Sequence, residues 1–257
     1  MAISLNELGN LGHLGNQMFQ YASLQGIAHN RGLDWKIPPK NEFGRKYPIL
    51  KSNLYDCFYL DPDIERHTGL LDGESVPEKQ HGFDQNLFDT CPDNVNLSGY
   101  FQSYKYFENI DKKIRRDFTF LPQEMNVSTR NNTLAIHVRR TDYLGLSQYH
   151  TNLDREYYSA ALDLIGEFSE AIVFSDDIDW CMTLDIFKNF KFSFGSPYSD
   201  LQIMSKCDKH IIANSSFSWW GAWLSKSNNV IAPKKWFGPA LSEHSTDGYY
   251  LPEWTTV

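Results

Sequence analysis

An α/β fold carried by a parallel, Rossmann-like sheet in its second half is what the sequence predicts, and three observations predict it. Leu134, Ala135, Ile136 and Val138 make a short apolar run of the kind that fills a strand buried on both faces. From there on, strand-like runs alternate with helical stretches, the pattern of successive βαβ units. Charged and small polar residues then gather just after the strand ends, where open parallel sheets bind ligands.

The elements follow in order. Residues 14–30 have helical spacing, with Leu14, Met18, Phe19, Ala22 and Leu24 near one stripe. Residues 35–100 read as loop-rich and aromatic, punctuated by Pro38, Pro39, Pro48, Pro62, Pro77 and Pro92. A helix is expected over 103–117, its basic end (Lys112, Lys113, Arg115, Arg116) complementing the C-terminal dipole. The polar stretch LPQEMNVSTRNN (121–132) is the expected linker. Strands are then expected at 133–138, 171–175, 191–194, 209–213 and 229–232. Helices are expected between them at 154–168, capped by Asn152 or Asp154, and at 178–188, 199–207 and 216–226.

Bulk properties narrow the function. With 257 residues, 41% of them hydrophobic, the chain can bury one large core or two modest ones. The net charge of −8 argues against a nucleic-acid surface and leaves, at most, peripheral membrane contact. No apolar run approaches the ~20 residues of a membrane span, and no signal pattern opens the chain, so a cytoplasmic location is expected. Cys57, Cys91, Cys181 and Cys207 lack metal-ligand spacing and read as reduced core residues.

Three strand-to-helix junctions carry the chemistry. In HVRRTD, the strand ends in His137, Arg139, Arg140 and Asp142, with His137 and Arg139 on one face and Arg140 on the other. Charges at the end of a core strand need a partner, and a guanidinium matches two phosphate oxygens, which makes Arg139 a candidate phosphate clamp. The bland alternative is an internal ion pair of Arg139 or Arg140 with Asp142. In VFSDDIDWC, Ser175 or Asp176 occupies the expected N-cap and Asp179 completes a capping box. The Asp176–Asp177 pair also suits the two N–H donors of a guanine edge. In IANSSFSWWGAWL, Ser215 and Ser216 open a helix whose first-turn N–H groups favour a phosphate, while its tryptophans read as packing. GHLGNQMFQYA (12–22) adds a glycine turn before a helix, without the lysine of a P-loop.

Together, GHLGNQMFQYA, SGYFQSYKYF (98–107), IHVRRTDY, VFSDDIDWC and IANSSFSWWGAWL resemble the ordered motif set of the family 11 α-1,2-fucosyltransferases. The resemblance runs from residue 12 to about residue 236. It implies a GT-B-type α/β fold of two Rossmann-like domains with a donor-binding cleft between them, divided here as 1–124 on the acceptor side and 125–257 on the donor side. It also implies inverting, metal-independent transfer of fucose from GDP-fucose to the 2-hydroxyl of a terminal galactose, with no cofactor and no metal ligands.

Carried over by residue, Arg139 holds the pyrophosphate with His137 and Arg140 beside it, and Asp176 or Asp177 reads guanine. Ser215, Ser216 and Phe217 line the phosphates, and Asn16 reaches the donor. Asp142 and His150 are the candidates for the catalytic base. Two features depart from the pattern. His13 stands where a second glycine is usual, and NELGNLG (6–12) is too polar for a first core strand. The competing readings are a non-catalytic nucleotide-sugar-binding protein and a fucosyltransferase of another linkage.

Overall fold

The computed structural model describes residues 1–46, 53–122, 124–125 and 127–257, so Pro48 and, in the expected linker, Gln123 and Asn126 lie outside the described residues. The chain falls into two compact units, Met1–Pro122 with Ser245–Tyr250, and Gln123–His244 with Leu251–Val257. The expected division leaves Ser245–Tyr250 with the second half, whereas it packs as a strap on the first. Phe83 N–H donates to the Asp247 carbonyl (3.1 Å), Tyr104 N–H to that of Gly248 (2.9 Å), and Lys105 pairs with the Asp247 carboxylate at 2.7 Å.

The first unit comprises β1 (Ala2–Ser4), α1 (Leu14–Arg31), β2 (Asp34–Lys36), α2 (Leu54–Cys57), β3 (Glu74–Pro77), α3 (Gln85–Thr90), β4 (Val95–Ser98) and α4 (Asp111–Asp117). Its strands form a parallel sheet in the order β2-β1-β4-β3. The first strand therefore precedes the polar Asn6–Gly12 segment, which is the loop into α1. Helix α1 ends where Gly32 turns left-handed at φ 64°, a conformation glycine adopts without a Cβ penalty. The region expected to be loop-rich holds β3 and β4, strands of 4 residues each that are too short to show alternation. The helix expected over 103–117 shrinks to α4. Tyr104–Tyr106 and Glu108–Ile110 are single tight turns, separated by Phe107 at φ −132°, ψ 7°. The buried rings of Tyr106 and Phe107 dictate that course, since they pack inward rather than along one helical stripe.

The second unit comprises β5 (Thr133–Val138), α5 (Thr141–Gly145), α6 (Arg155–Leu164), β6 (Glu170–Ser175), α7 (Ile178–Thr183), β7 (Lys191–Phe192), α8 (Pro197–Met204), β8 (Lys209–Ile211), α9 (Ser216–Ser225), β9 (Val230–Ala232) and β10 (Thr255–Thr256). All its strands are parallel, in the order β10-β9-β8-β5-β6-β7. The chain starts at β5, winds out through β6 and β7, then returns to the other side of β5 with β8. The topological switch point therefore lies between β5 and β8.

All six residues of β5 are buried. Leu134, Ile136 and Val138 pack with Tyr158, Cys181 and Phe187 in one core layer. Ala135 packs with Ile172, Phe174, Ile203, Met204, Cys207 and Phe217 in the other. Asp154 caps α6, the second of the two expected caps. Helix α7 stops at Thr183, short of the expected 188, and a tight turn at Asp185–Phe187 follows it. Helix α8 starts at Pro197, earlier than expected, because Ser196 caps it and proline's fixed φ suits the first helical position. The α9 tryptophans are packing residues: Trp219 and Trp220 meet edge-on at 4.9 Å, and Trp219 meets Trp254 at 5.5 Å. The four cysteines are buried and free. Among the described residues, no helix is long and apolar enough to cross a membrane.

Candidate active site

The switch point of the second unit gathers one set of the expected residues. Ile136 stands opposite Ile211, and Val138 opposite Ser175. The residues that follow those strands leave the sheet side by side, at the strand spacing of ~4.8 Å. Alternation puts His137 on the Ala135 face, and its ring centre lies 5.5 Å from that of Phe217 in the first turn of α9. Tyr143 of α5 donates to the Asn214 carbonyl at 3.1 Å, tying the β5 exit to the β8 exit.

His137 is buried, and its Nδ1 has no hydrogen-bond partner among the described residues. Burial, reinforced by the Arg139 charge, drops its pKa to about 3, so the ring is neutral at physiological pH. A buried unpartnered ring nitrogen costs free energy and is filled by a ligand or water. Next to it, the Arg139 guanidinium donates to Asp142 at 2.7 Å, lies 3.4 Å from Asp176 and sits 5.6 Å from the centre of the Tyr143 ring. Ser215 caps α9, accepting from Phe217 N–H at 3.4 Å, and Ser216 is its first residue. A neutral imidazole, a held guanidinium and a helix N-terminus on adjacent strand ends have the chemistry to receive an anion.

Other expected residues have different occupations. Arg140 donates to Asp177 at 3.1 Å and stacks over Trp180 at 4.2 Å, contacts that brace the start of α7. Asp176 accepts from Arg140 N–H (2.9 Å), Thr141 N–H (3.2 Å) and the Thr141 hydroxyl (2.5 Å). Asp177, rather than Ser175 or Asp176, caps α7, accepting from Trp180 N–H at 3.2 Å. The turn after β5 and the start of α7 therefore already occupy the two carboxylates expected to read guanine. His150 lies flat on Tyr143, rings 4.0 Å apart, with its pKa lowered chiefly by burial. Asn16 belongs to the first unit, where its side-chain oxygen accepts from Gln102 at 2.7 Å, and His13 occupies the cap position of α1 in extended backbone.

The sequence model of glycosyl transferase family 11 matches residues 80–257. The chain belongs to glycosyl transferase family 11. It is 42% identical to the O-antigen biosynthesis glycosyltransferase WbnK of Escherichia coli, over 88% of this chain and 93% of WbnK. It is 30% identical to an Escherichia coli alpha-1,2-colitosyltransferase, over 88% and 90% of the two chains. Identity to galactoside alpha-(1,2)-fucosyltransferase 2 of Pongo pygmaeus is 24%, over 96% and 77%. Among solved structures the fold is similar to that of the fucosyltransferase NodZ from Bradyrhizobium (TM-score 0.54, 12% identity, 86% of this chain and 92% of NodZ). It is similar also to POFUT1 in a complex with GDP (TM-score 0.51, 12% identity, 88% and 94%). This family 11 glycosyltransferase thus has the expected α/β fold with parallel sheets.

One residue of the enzyme escaped sequence reasoning. Asp200, in the first turn of α8, accepts from the Ser193 hydroxyl at 2.5 Å through one oxygen, and burial pushes its pKa up to about 6. Helix α8 carries the chain from β7 back to β8 across the face that holds His137 and Phe217. Running antiparallel to the strands, it brings its first turn to the strands' C-terminal edge. The second Asp200 oxygen has no protein partner among the described residues. A lone aspartate after Ser-Pro-Tyr reads as an ordinary first-turn acid, so only the topology marks it.

Proposed function

We propose that this family 11 enzyme transfers L-fucose from GDP-fucose to the 2-hydroxyl of a terminal galactose in a glycan, with inversion and without a metal. The observation that carries the proposal is the switch-point constellation itself: unpartnered neutral His137, clamped Arg139, and Ser215, Ser216 and Phe217 at the start of α9. In this reading the pyrophosphate sits against Arg139 and the α9 N-terminus, while His137 Nδ1 meets the nucleotide. The C1–O bond to the β-phosphate breaks and its electron pair leaves with GDP. The acceptor oxygen bonds C1 from the opposite face, and its proton passes to a base. Positive charge fixed where GDP departs is the largest rate contribution, because charge develops there in the transition state.

Roles follow from geometry. Asp142 is bonded to Arg139, so it orients the clamp. His150 is the proposed proton acceptor, because burial keeps its ring neutral. Asp200, with one oxygen held by Ser193 and the other open, suits the paired N–H donors of guanine better than Asp176 or Asp177. The relatives support both the α-1,2 linkage and a 6-deoxy-sugar donor. The 30% identity to a colitosyltransferase makes a colitosyl donor the second reading.

The test is release of GDP from GDP-fucose in EDTA, with and without lactose or N-acetyllactosamine. Acceptor-stimulated release that survives EDTA supports the proposal. Release from a colitosyl donor alone favours the second reading, and release only on adding a divalent ion overturns metal independence. Asp200→Asn is expected to weaken GDP binding by about 10–100-fold, the scale of a lost buried hydrogen bond to a charged group. Calorimetry with GDP and ADP checks this: the variant loses its preference for GDP, whereas unchanged affinity for GDP removes Asp200 from the base site.

A further inference from the structure

A tightly held turn of the first unit is Gly99–Ser103, at the C-terminal end of β4 beside that sheet's own switch point between β1 and β4. Its backbone is strained. Phe101 adopts φ 52°, a left-handed conformation rare for a bulky side chain, and Gly99 adopts φ 156°. A Cβ on Gly99 would stand 2.4 Å from the Cβ of Glu78. Such strain persists only where the surroundings over-determine it. Here they do. Glu78, just past β3, accepts from Tyr100 N–H at 2.8 Å and Phe101 N–H at 3.0 Å through its two carboxylate oxygens. Gln20 donates to the Gly99 carbonyl (3.0 Å) and Ser23 to that of Phe101 (2.9 Å). Gln102 donates to Asn16 at 2.7 Å, and Tyr249 of the strap reaches Gln102 at 3.5 Å.

A carboxylate spent on two backbone amides adds no core packing, and its burial is costly. What the turn presents is chemistry suited to a sugar: the half-exposed Tyr100 ring for stacking, and the Asn16–Gln102 amide pair for hydroxyls. We infer that Glu78 is a positioning residue for acceptor recognition, fastening the Gly99–Gln102 turn so that Tyr100 and the Gln102–Asn16 pair meet the terminal sugar of the acceptor. The inference rests on the proposed glycosyl transfer and extends it to residues of the first unit. Burial raises the Glu78 pKa to about 7 despite the two N–H donors, and the titratable groups around it are Tyr100, Tyr106 and Tyr249, with no cation among them. Protonation removes one acceptor from the clasp, so the turn is set in the ionised form.

The sign of the pH effect separates positioning from simple stability. A carboxyl whose folded pKa is raised favours folding below its unfolded pKa, and that contribution is lost as pH rises to about 7. Stability should therefore fall across this window while acceptor affinity rises. The experiment follows the amides of Tyr100 and Phe101 by selective 15N labelling, titrated from pH 5.5 to 8.5 in wild type and Glu78→Gln, with lactose then added. Both amides are expected to shift with a midpoint near 7 in wild type and to stay flat in Glu78→Gln. Lactose should bind wild type up to about tenfold more tightly at pH 8 than at pH 6, the ratio of ionised fractions for a group titrating near 7, and bind the variant weakly at both. GDP affinity should be equal in the two proteins.

Tyr100→Ala, whose ring is half-exposed, should lose lactose binding while keeping the amide titration of Phe101. GDP release in the transferase assay plays no part in these readouts, so a wrong donor or linkage leaves them intact. Amides that do not titrate overturn the clasp. Lactose and N-acetyllactosamine affinities indifferent to pH and to both substitutions overturn its role in acceptor recognition.

Discussion

Arg139→Ala is expected to lower acceptor-dependent GDP release by about 10²–10³-fold, the scale on which removal of one preorganised donor to a developing anion acts. The guanidinium is positioned before any ligand arrives. Asp142 holds it at 2.7 Å, Asp176 lies 3.4 Å away, and Tyr143, itself bonded to the Asn214 carbonyl, lies under it. Its charge therefore needs little reorganisation when the phosphate oxygens gain charge. Arg139→Lys should recover only part of the loss, because an ammonium is a point charge and cannot make the planar two-point contact. Asp142→Asn should leave the charge in place but loosen its aim, giving a smaller defect than Arg139→Ala. The check is kcat/KM for all three proteins at two salt concentrations. Equal activity of wild type and Arg139→Ala removes Arg139 from the phosphates.

Much of this site was legible in the sequence because its signals are local. The apolar run of β5 leading to His137 and Arg139, and the serines opening α9, each lie within one strand-to-helix junction. Short parallel strands bring such junctions together with little freedom. What the sequence does not show depends on partners that adjacency along the chain does not reveal. Asp176 and Asp177 look available until the N–H groups of Arg140, Thr141 and Trp180 are seen to claim them. Arg140 reads as an open guanidinium until Trp180, in the first turn of α7, is found beneath it.

The same holds for Glu78, whose partners Tyr100 and Phe101 lie 22 and 23 positions along the chain. The first unit's sheet was the least readable element. Strands of 3–4 residues carry too few positions to show a period, and the register of β3 and β4 is fixed only by pairing with each other and with β1.

Gly26→Ala should be among the most destabilising single substitutions available, although it replaces a poor helix former with the best one. In an isolated helix the change favours folding by about 1 kcal/mol. Here Gly26 is buried in the middle of α1, and a Cβ at that position would lie 1.8 Å from the carbonyl oxygen of Tyr106 and 2.8 Å from Cα of Phe107. Both are main-chain atoms, so no rotamer change relieves the overlap. The Tyr104–Phe107 segment must move away from α1, and it is anchored on both sides, by the Tyr104 bond to Gly248 and the Phe107 packing against Phe19. Overpacking of this kind costs about 3 kcal/mol. At 2–4 °C per kcal/mol for a chain of this size, the thermal midpoint should fall by about 6–12 °C.

Displacement of that segment also pulls on Gln102 and its bond to Asn16. Below the new midpoint, the variant should therefore bind GDP normally while binding lactose less well. A melt within 2 °C of wild type would mean that α1 and the Tyr104–Phe107 segment separate freely, and that the close approach of their backbones does not hold the first unit together.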